Sequence, residues 1–299
     1  MQFGVALPHF GPSARHPEAP ARIREVATAA DRLGYDVVWT SDHVIFPRSV
    51  DTPYPYGESF PYDVNDPILD PISTLTWVAS ATSRIQLGTA VLVLPYHPTV
   101  TLAKALATVD VLSGGRLLLG VAGGWLREEF DLLGVPFEER GARTDEAIDL
   151  LKHLWTADTI DFEGRFHHLR DAAFFPKPTR KPHPPIWIGG DGAAALRRVA
   201  RRGDGWLAAP RDLPTLERKL GEIRRRAESA GRDPSAIGVA TSGGAHTLDE
   251  MLDLVPTLER LGVTVMNMAS RFWAAGPDEA LELLERFAER AGLSPRTQP

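Results

Sequence analysis

Short apolar runs alternate with longer amphipathic stretches along almost the whole chain, a pattern typical of parallel strands joined by crossover helices. Strands are predicted over about residues 3–7, 36–40, 85–94, 117–122, 185–188, 205–208, 237–241 and 263–268. Helices are predicted over about residues 20–33, 72–80, 98–112, 141–155, 192–202, 212–230, 248–261 and 277–291. The alternative, a doubly wound sheet, lacks its usual GxGxxG fingerprint here. The pattern therefore predicts an α/β fold, a single (β/α)8 TIM barrel over residues 1–299.

Two segments interrupt the alternation. Residues 44–71 are rich in Pro, Tyr and Asp, show no helical or alternating period, and are too long for a routine connection. We expect them to form a functional insertion loop on the substrate side of the barrel. Residues 158–176 are predicted to form a short hairpin insertion that turns at Glu163 and Gly164.

Composition excludes several classes of function. The formal net charge of −6 has the wrong sign for a chain that must neutralise many phosphates, so no nucleic-acid partner is expected. The absence of cysteine excludes disulfides, thiolate nucleophiles and cysteine-ligated metals. The N-terminal residues lack the basic and apolar regions of a secretory leader, and no stretch reaches roughly 18 apolar residues. We therefore expect a cytoplasmic protein with no membrane partner.

The polar residues that follow the first two strands are the candidates for chemistry, because the active site of a TIM barrel lies at the C-terminal ends of its strands. His43 is predicted to be the acid/base catalyst, since imidazole titrates near neutrality; a packed histidine is the alternative. Asp42 could orient His43 or accept hydrogen bonds from a bound ring, or it could cap the following turn. His9 is predicted to line the same rim, with a solvated loop histidine as the alternative.

A metal site at the same rim is another possibility. His9, Asp42, His43 and His97 could supply four ligands. However, no HxH pair follows the first strand and no strand carries a lysine, so no metal is predicted and a metal-dependent hydrolase is a minor alternative.

Glycines follow two further strands. Gly189 and Gly190 lie between a strand and a helix, where free backbone N–H groups could receive a phosphate, although a tight turn alone could also require them. Gly123 and Gly124 remove side chains after the fourth strand, which would let a flat ligand approach the backbone. Trp125 could stack on that ligand or simply fill the core.

Aromatic residues cluster in two segments predicted to lie above the barrel. Tyr54 and Tyr56 are in the insertion loop, and Phe272 and Trp273 follow the eighth strand. Because loops above a barrel carry its substrate contacts, these residues are predicted to form the substrate pocket, with surface packing as the alternative.

Several segments resemble one known family when they are taken together and in order. They are LPHFG, GYDVVWTSDH, IQLGTAVLVLPYHPTVTLAKALATVDVLSGGRLLLGVAGGW, PIWIGG and RRGDGW. As a set they resemble the luciferase-like monooxygenase superfamily, and within it the branch that uses the deazaflavin coenzyme F420. The resemblance covers about two-thirds of the chain and is more specific than any single motif. The C-terminal third resembles the family only in its alternation of strands and helices.

The resemblance implies a TIM-barrel oxidoreductase, commonly a homodimer, with an isoalloxazine-like ring at the C-terminal mouth of the barrel. It implies that His43 lies beside the reactive ring, with Asp42 near the ring. It also implies a bulge with a non-prolyl cis peptide at Ala90–Val91 behind the ring, and a phosphate-binding turn at Gly189–Gly190.

The chain departs from part of that branch. Its sugar-phosphate dehydrogenases have a proton-donating glutamate after the glycines of strand four, where this sequence has Trp125, which argues against the glucose-6-phosphate reaction. Glu128 and Glu129 match acidic or amide positions that contact the cofactor in relatives, with helix surface as the alternative.

The sequence therefore predicts a coenzyme F420-dependent oxidoreductase that moves a hydride between the deazaflavin C5 and a small organic substrate, with His43 assisting proton transfer. The main alternative is an FMN-dependent monooxygenase that uses oxygen and reduced flavin from a partner reductase. A flavin-binding protein without turnover is a third possibility. F420 is favoured over FMN because the spelling of the motifs, and a composition with 28 arginines and five lysines, are typical of the organisms that make F420.

Overall fold

Eight parallel strands close into a barrel in the computed structural model, which describes residues 1–55, 57, 60, 63–209, 212–245, 247–268 and 277–294. The described residues contain these strands, of which eight form the barrel: β1 (Gln2–Ala6), β2 (Val37–Thr40), β3 (Gln86–Thr89), β4 (Leu92–Val93), β5 (Leu117–Ala122), β6 (Ile160–Glu163), β7 (His168–Ala172), β8 (Ile186–Gly189), β9 (Gly205–Leu207), β10 (Gly238–Thr241) and β11 (Val265–Met268). Around the barrel they run β3-β2-β1-β11-β10-β9-β8-β5, and β3 pairs with β5 to close it. The predicted TIM barrel is confirmed.

Helices form the outer layer. They are α1 (Ala19–Leu33), α2 (Pro71–Ala81), α3 (Thr99–Leu112), α4 (Arg127–Leu132), α5 (Arg140–Thr156), α6 (Ala193–Arg202), α7 (Leu213–Ser229), α8 (Leu248–Leu261) and α9 (Pro277–Arg290). Each predicted helix is present, because apolar residues at helical spacing cover the barrel and Pro or Gly marks most of their ends. The short helix α4 was not predicted. None of the helices within the described ranges has the length and apolar character needed to cross a membrane.

The third predicted strand, residues 85–94, is divided in the structure. A cis peptide bond joins Ala90 and Val91, and β4 resumes beyond it by pairing with β5. The bulge implied by the family resemblance is therefore present at the predicted pair. The predicted hairpin is also confirmed, since β6 and β7 pair antiparallel.

Large aromatic side chains fill the inside of the barrel. Trp39 on β2 lies across β1 and β3, where a Cβ on Gly4 would be 2.3 Å from the indole and one on Gly88 would be 2.2 Å from it. Trp187 on β8 lies across β9, where a Cβ on Gly205 would be 2.3 Å from the indole. Both tryptophans are buried. The interior is therefore a packed floor beneath the C-terminal mouth rather than a pore.

Candidate active site

His43 lies at the mouth of the barrel, just beyond β2, and is held by Glu129 on α4. Its Nδ1 is 2.7 Å from Glu129 Oε2. The glutamate side chain is 0% exposed and the imidazole 10%. A carboxylate can only accept, so Nδ1 donates the hydrogen bond and Nε2 is left without a protein partner among the described residues. The free ring nitrogen is the one available to a ligand.

Glu129 accepts three further hydrogen bonds, which fix it in place. Its Oε1 accepts from the backbone N–H groups of Val44 at 2.7 Å and Ile45 at 3.2 Å. Its Oε2 accepts from the Tyr96 hydroxyl at 3.0 Å. Burial, with the nearby charge of Glu129, raises the pKa of Tyr96, so the phenol keeps its proton and remains a donor. These donors stabilise the buried carboxylate.

Asp42 holds the chain beyond the bulge. Its Oδ2 accepts from the backbone N–H of Val93 at 2.9 Å and lies 2.8 Å from His97 Nε2. Both partners are more than 50 residues along the chain, so the alternative that Asp42 caps the turn following it is wrong. The aspartate is buried and ties the segment after β4 to the end of β2. Its contact with a cofactor stays a prediction.

His9 does not lie at the rim. The ring is 3% exposed. Its Nε2 accepts from the backbone N–H of Ser41 at 2.8 Å, and Nδ1 is 3.0 Å from the carbonyl oxygen of Leu7. Burial lowers the pKa of His9, so the ring is neutral. Both expectations for this residue, a place in the substrate pocket and a solvated loop, are therefore corrected: His9 joins β1 to β2 beneath the rim.

Four aromatic side chains lie around His43, and Tyr54 packs against two of them; we call the five residues Phe10, Phe46, Tyr54, Phe60 and Trp125 the aromatic cover. The imidazole centroid is 4.6 Å from the ring of Phe46, 5.7 Å from that of Phe60 and 6.3 Å from that of Trp125. Tyr54 packs against Trp125 at 5.3 Å. The structure thus brings together the segment after β1, the insertion loop and the segment after β5, which are distant in sequence.

Parts of this cover were predicted and parts were not. Trp125 lies beside His43 and Tyr54 packs against Trp125, whereas the predicted pocket residues Tyr56, Phe272 and Trp273 lie outside the described residues. Phe10 and Phe46 were missed. Their positions in the sequence could have identified them, because Phe10 directly follows His9 and Phe46 is three residues beyond His43.

Another part of the mouth presents mainly backbone. Ala90 is exposed, and Val91 packs so closely on the end of β8 that a Cβ on Gly189 would be 2.5 Å from it. Gly190 has a positive φ of 97°, and its carbonyl oxygen accepts from the indole N–H of Trp206 at 2.8 Å. The turn leads into α6, whose N-cap Gly192 offers no side-chain acceptor. A flat ring bearing an anionic group would suit this surface.

Gly124 has a different role from the predicted one. A Cβ there would be 2.7 Å from Phe130 and 2.8 Å from Val93, and φ is +80°. Protein atoms, not a ligand, occupy the space that this glycine leaves open. At Gly123 a Cβ would be 3.3 Å from Thr144. Glycine at 124 lets α4 pack against β4, and this packing brings Glu129 to His43.

Glu128 is also used by the protein itself. Its Oε1 accepts from the backbone N–H groups of Asp51 at 2.7 Å and Thr52 at 2.9 Å, and its Oε2 accepts from the Thr52 hydroxyl at 2.8 Å. Glu128 therefore binds the insertion loop, so the alternative that it is plain helix surface is wrong, and its contact with a cofactor stays a prediction. Over the ranges that the structure describes, no three His, Asp or Glu side chains converge as a metal site would require.

The family model for luciferase-like monooxygenases matches residues 1–289 of the chain. The chain belongs to the luciferase-like monooxygenase family. A family relative of Mycobacterium tuberculosis, an uncharacterized protein, is 34% identical over 273 residues, which is 88% of this chain and 92% of that protein. An F420-dependent glucose-6-phosphate dehydrogenase of Kineococcus radiotolerans is 35% identical over 226 residues, covering 73% of this chain and 62% of that enzyme.

Solved structures match the family fold over nearly the whole chain. The monooxygenase RslO1 from Streptomyces bottropensis has a TM-score of 0.79 and 23% identity, covering 97% of this chain and 98% of that one. The coenzyme F420-dependent tetrahydromethanopterin reductase from Methanopyrus kandleri has a TM-score of 0.75 and 18% identity, covering 98% and 99%. These two neighbours support the barrel and its connectivity.

Proposed function

We propose that this family member is a coenzyme F420-dependent oxidoreductase acting on a small organic substrate, with His43 as its acid/base residue. The observation that carries the proposal is the buried Glu129 carboxylate, which engages His43 Nδ1 and leaves Nε2 free beneath the aromatic cover. The dehydrogenase of Kineococcus radiotolerans, at 35% identity, supports F420 over FMN.

The residues at the backbone-lined part of the mouth would hold the coenzyme. Ala90 and Val91 would support its ring, and Gly189 and Gly190 would receive a phosphate at the start of α6. When bound, F420 supplies the deazaflavin C5 that gives or accepts a hydride.

The protein's own contribution is the transfer of the proton that accompanies the hydride. His43 Nε2 accepts the hydroxyl proton of an alcohol as its carbonyl forms, and returns that proton in the opposite direction. Glu129 keeps the ring in the orientation and tautomer that this transfer requires, and its charge stabilises the imidazolium that results. Exclusion of water by the aromatic cover strengthens this electrostatic effect.

The aromatic cover favours an uncharged substrate. Phe10, Phe46, Phe60 and Trp125 make ring contacts with His43. A phosphate ester would need cationic partners, whereas aromatic walls stabilise apolar groups through burial. We therefore expect alcohols, ketones or related neutral compounds to be used in preference to glucose 6-phosphate.

A fluorescence titration of the purified protein with oxidised F420 and, separately, with FMN tests the cofactor assignment, since the 7 tryptophans act as reporters. Saturable binding of F420 is expected, followed by reduction of F420 in the presence of a secondary alcohol but not glucose 6-phosphate. Preference for reduced FMN, with oxygen-dependent turnover supported by a reductase, would instead establish the monooxygenase. Binding of neither would remove both functions.

We also propose that the protein is a homodimer. Trp77 on α2 and Val111 and Leu112 on α3 are exposed although they are large and apolar. A second copy would remove this surface from water. Light scattering after size-exclusion chromatography should give twice the 32.7 kDa chain mass, and a monomer mass would contradict the proposal.

A further inference from the structure

The insertion loop is attached to α4 at two points. Two consecutive glutamates of the helix provide them: Glu129 binds the backbone at residues 44–45, and Glu128 binds it at residues 51–52. Only five residues, 46–50, lie between the two attachments. The first attachment adjoins His43, so the second is the one that sets the path of the loop beyond it.

Glu128 makes an extensive second attachment. Two backbone N–H groups and one hydroxyl donate to it over 2.7–2.9 Å. Burial opposes the charge, but the hydrogen bonds from Thr52 and Asp51 outweigh it and lower the pKa of Glu128, so the carboxylate is ionised at neutral pH. Hydrogen bonds to a charged acceptor are stronger than neutral ones.

Apolar packing contributes less to holding this part of the loop. Val44, Ile45 and Val50 are 53%, 45% and 39% exposed. Because these side chains keep 39–53% of their surface in water, their burial adds only part of its full value to the free energy that orders the segment. The hydrogen bonds to Glu128 hold the backbone of residues 51–52 directly.

The second attachment lies close in sequence to two rings of the aromatic cover. Tyr54 is two residues beyond Thr52, and Trp125 is three residues before Glu128. The two aromatic rings meet edge to face, with centroids 5.3 Å apart and planes at 69°. The bonds between Glu128 and Thr52 thus join the two chain segments that carry these rings.

We propose that Glu128 is a positioning residue for the substrate side of the site: it holds residues 51–52, and through them Tyr54 against Trp125, without contacting the cofactor. The assignment of this wall to the substrate rests on the proposed function. The attachment itself can be tested in the apoprotein.

Hydrogen–deuterium exchange of the full chain gives that test. In Glu128→Ala the amides of Asp51 and Thr52 should exchange about tenfold faster, because they lose their acceptor, while the amides at 44–45 keep Glu129. Glu128→Gln, which retains one acceptor oxygen, should be intermediate. Glu138→Ala is the matched control, since that exposed carboxylate binds Arg127 and should leave the loop unchanged.

Two further readouts separate positioning from a general loss of structure. The emission of Trp125, obtained by subtracting a Trp125→Phe spectrum in each background, should shift to the red in Glu128→Ala as Tyr54 moves away. The F420 dissociation constant should stay within about twofold, because a wall on the substrate side adds nothing to cofactor affinity. If Glu128→Ala lowers protection throughout the barrel, Thr52→Val removes only the hydroxyl bond and should still accelerate exchange at residue 52.

Unchanged exchange at residues 51–52 would overturn the proposal. So would weaker F420 binding with unchanged exchange, because that pattern would mark a cofactor contact. If the unaltered protein does not bind F420, the proposed function fails on its own, while the exchange result still decides whether Glu128 holds the loop.

Discussion

Two glutamates of the outer helices make almost the same set of hydrogen bonds in different places. Glu129 on α4 accepts from His43 and from two consecutive backbone N–H groups at the mouth of the barrel. Glu146 on α5 accepts from His167 at 2.8 Å and from two consecutive backbone N–H groups, at residues 165–166, in the turn of the hairpin. The bonding pattern is therefore not what distinguishes a catalytic site.

The difference lies in the surroundings of each pair. Glu129 is 0% exposed and its histidine is covered by aromatic rings at the end of β2, whereas Glu146 and His167 are 11% and 23% exposed beside a surface hairpin. In the hairpin the carboxylate holds a turn. At the mouth it holds an imidazole whose second nitrogen has no protein partner among the described residues.

Removing the two histidines should give the largest contrast. His43→Ala should lower kcat about 10²- to 10⁴-fold, because it removes the acid/base group. His167→Ala should leave kcat within about twofold, since its partner only secures the hairpin. Steady-state kinetics with F420 and a secondary alcohol measures both, and equal losses would show that His43 has no special role.

Replacing each glutamate by glutamine is the next test. Glu129→Gln should lower kcat about 10- to 100-fold, the equivalent of one charge-assisted hydrogen bond, while F420 affinity is retained. Glu146→Gln should leave kcat unchanged and speed proteolysis of residues 158–176, because the turn keeps only one of its two acceptor oxygens and loses the charge. A kcat for Glu129→Gln equal to that of the unaltered protein would refute the positioning role of Glu129.

A glycine near each glutamate gives a smaller effect. Gly124→Ala should reduce the free energy of unfolding by about 2 kcal/mol, because the residue has φ +80° and its Cβ would meet Phe130. Gly164→Ala should cost about 1 kcal/mol, since Gly164 has no positive φ and its Cβ would meet only side chains, those of Glu146 and Phe162. Urea unfolding of both variants provides the measurement, and the reverse order would contradict this account.

Acid should weaken the junction of β1 and β2, beneath the mouth, before the hairpin. Burial lowers the pKa of His9 from its ordinary 6.5, so below that pH the unfolded chain binds a proton that the folded chain does not, and stability falls. The slope approaches about 1.4 kcal/mol per pH unit for one group.

Glu146 responds in a lower range. Burial opposes the charge of Glu146, but the hydrogen bonds from His167 and the backbone outweigh it and lower the pKa of Glu146 from its ordinary 4.5. Its contribution to the free energy of unfolding is therefore present above that pH and is lost as the pH falls below it. Hydrogen exchange between pH 7 and 4 should show β1 and β2 losing protection before the hairpin. Loss in the opposite order would show that other groups dominate.

Much of the fold follows from local sequence patterns. Apolar alternation, amphipathic spacing and the positions of Gly and Pro predicted the strands, the outer helices and the hairpin. The helix α4 was not predicted because its six residues, Arg127–Leu132, are too few to show a helical period. His43 was identifiable because the end of a barrel strand is a functional position irrespective of its partners.

Which carboxylate meets which partner was decided only in the folded chain. Glu129 and His43 are 86 residues apart, and Glu128 and Thr52 are 76 apart. Two adjacent glutamates on a short helix look alike in sequence, so composition and period do not distinguish a buried partner of histidine from an anchor of the loop. Packing decides it, because the bend at Gly124 determines which acidic side chain is withdrawn from water and must find donors there.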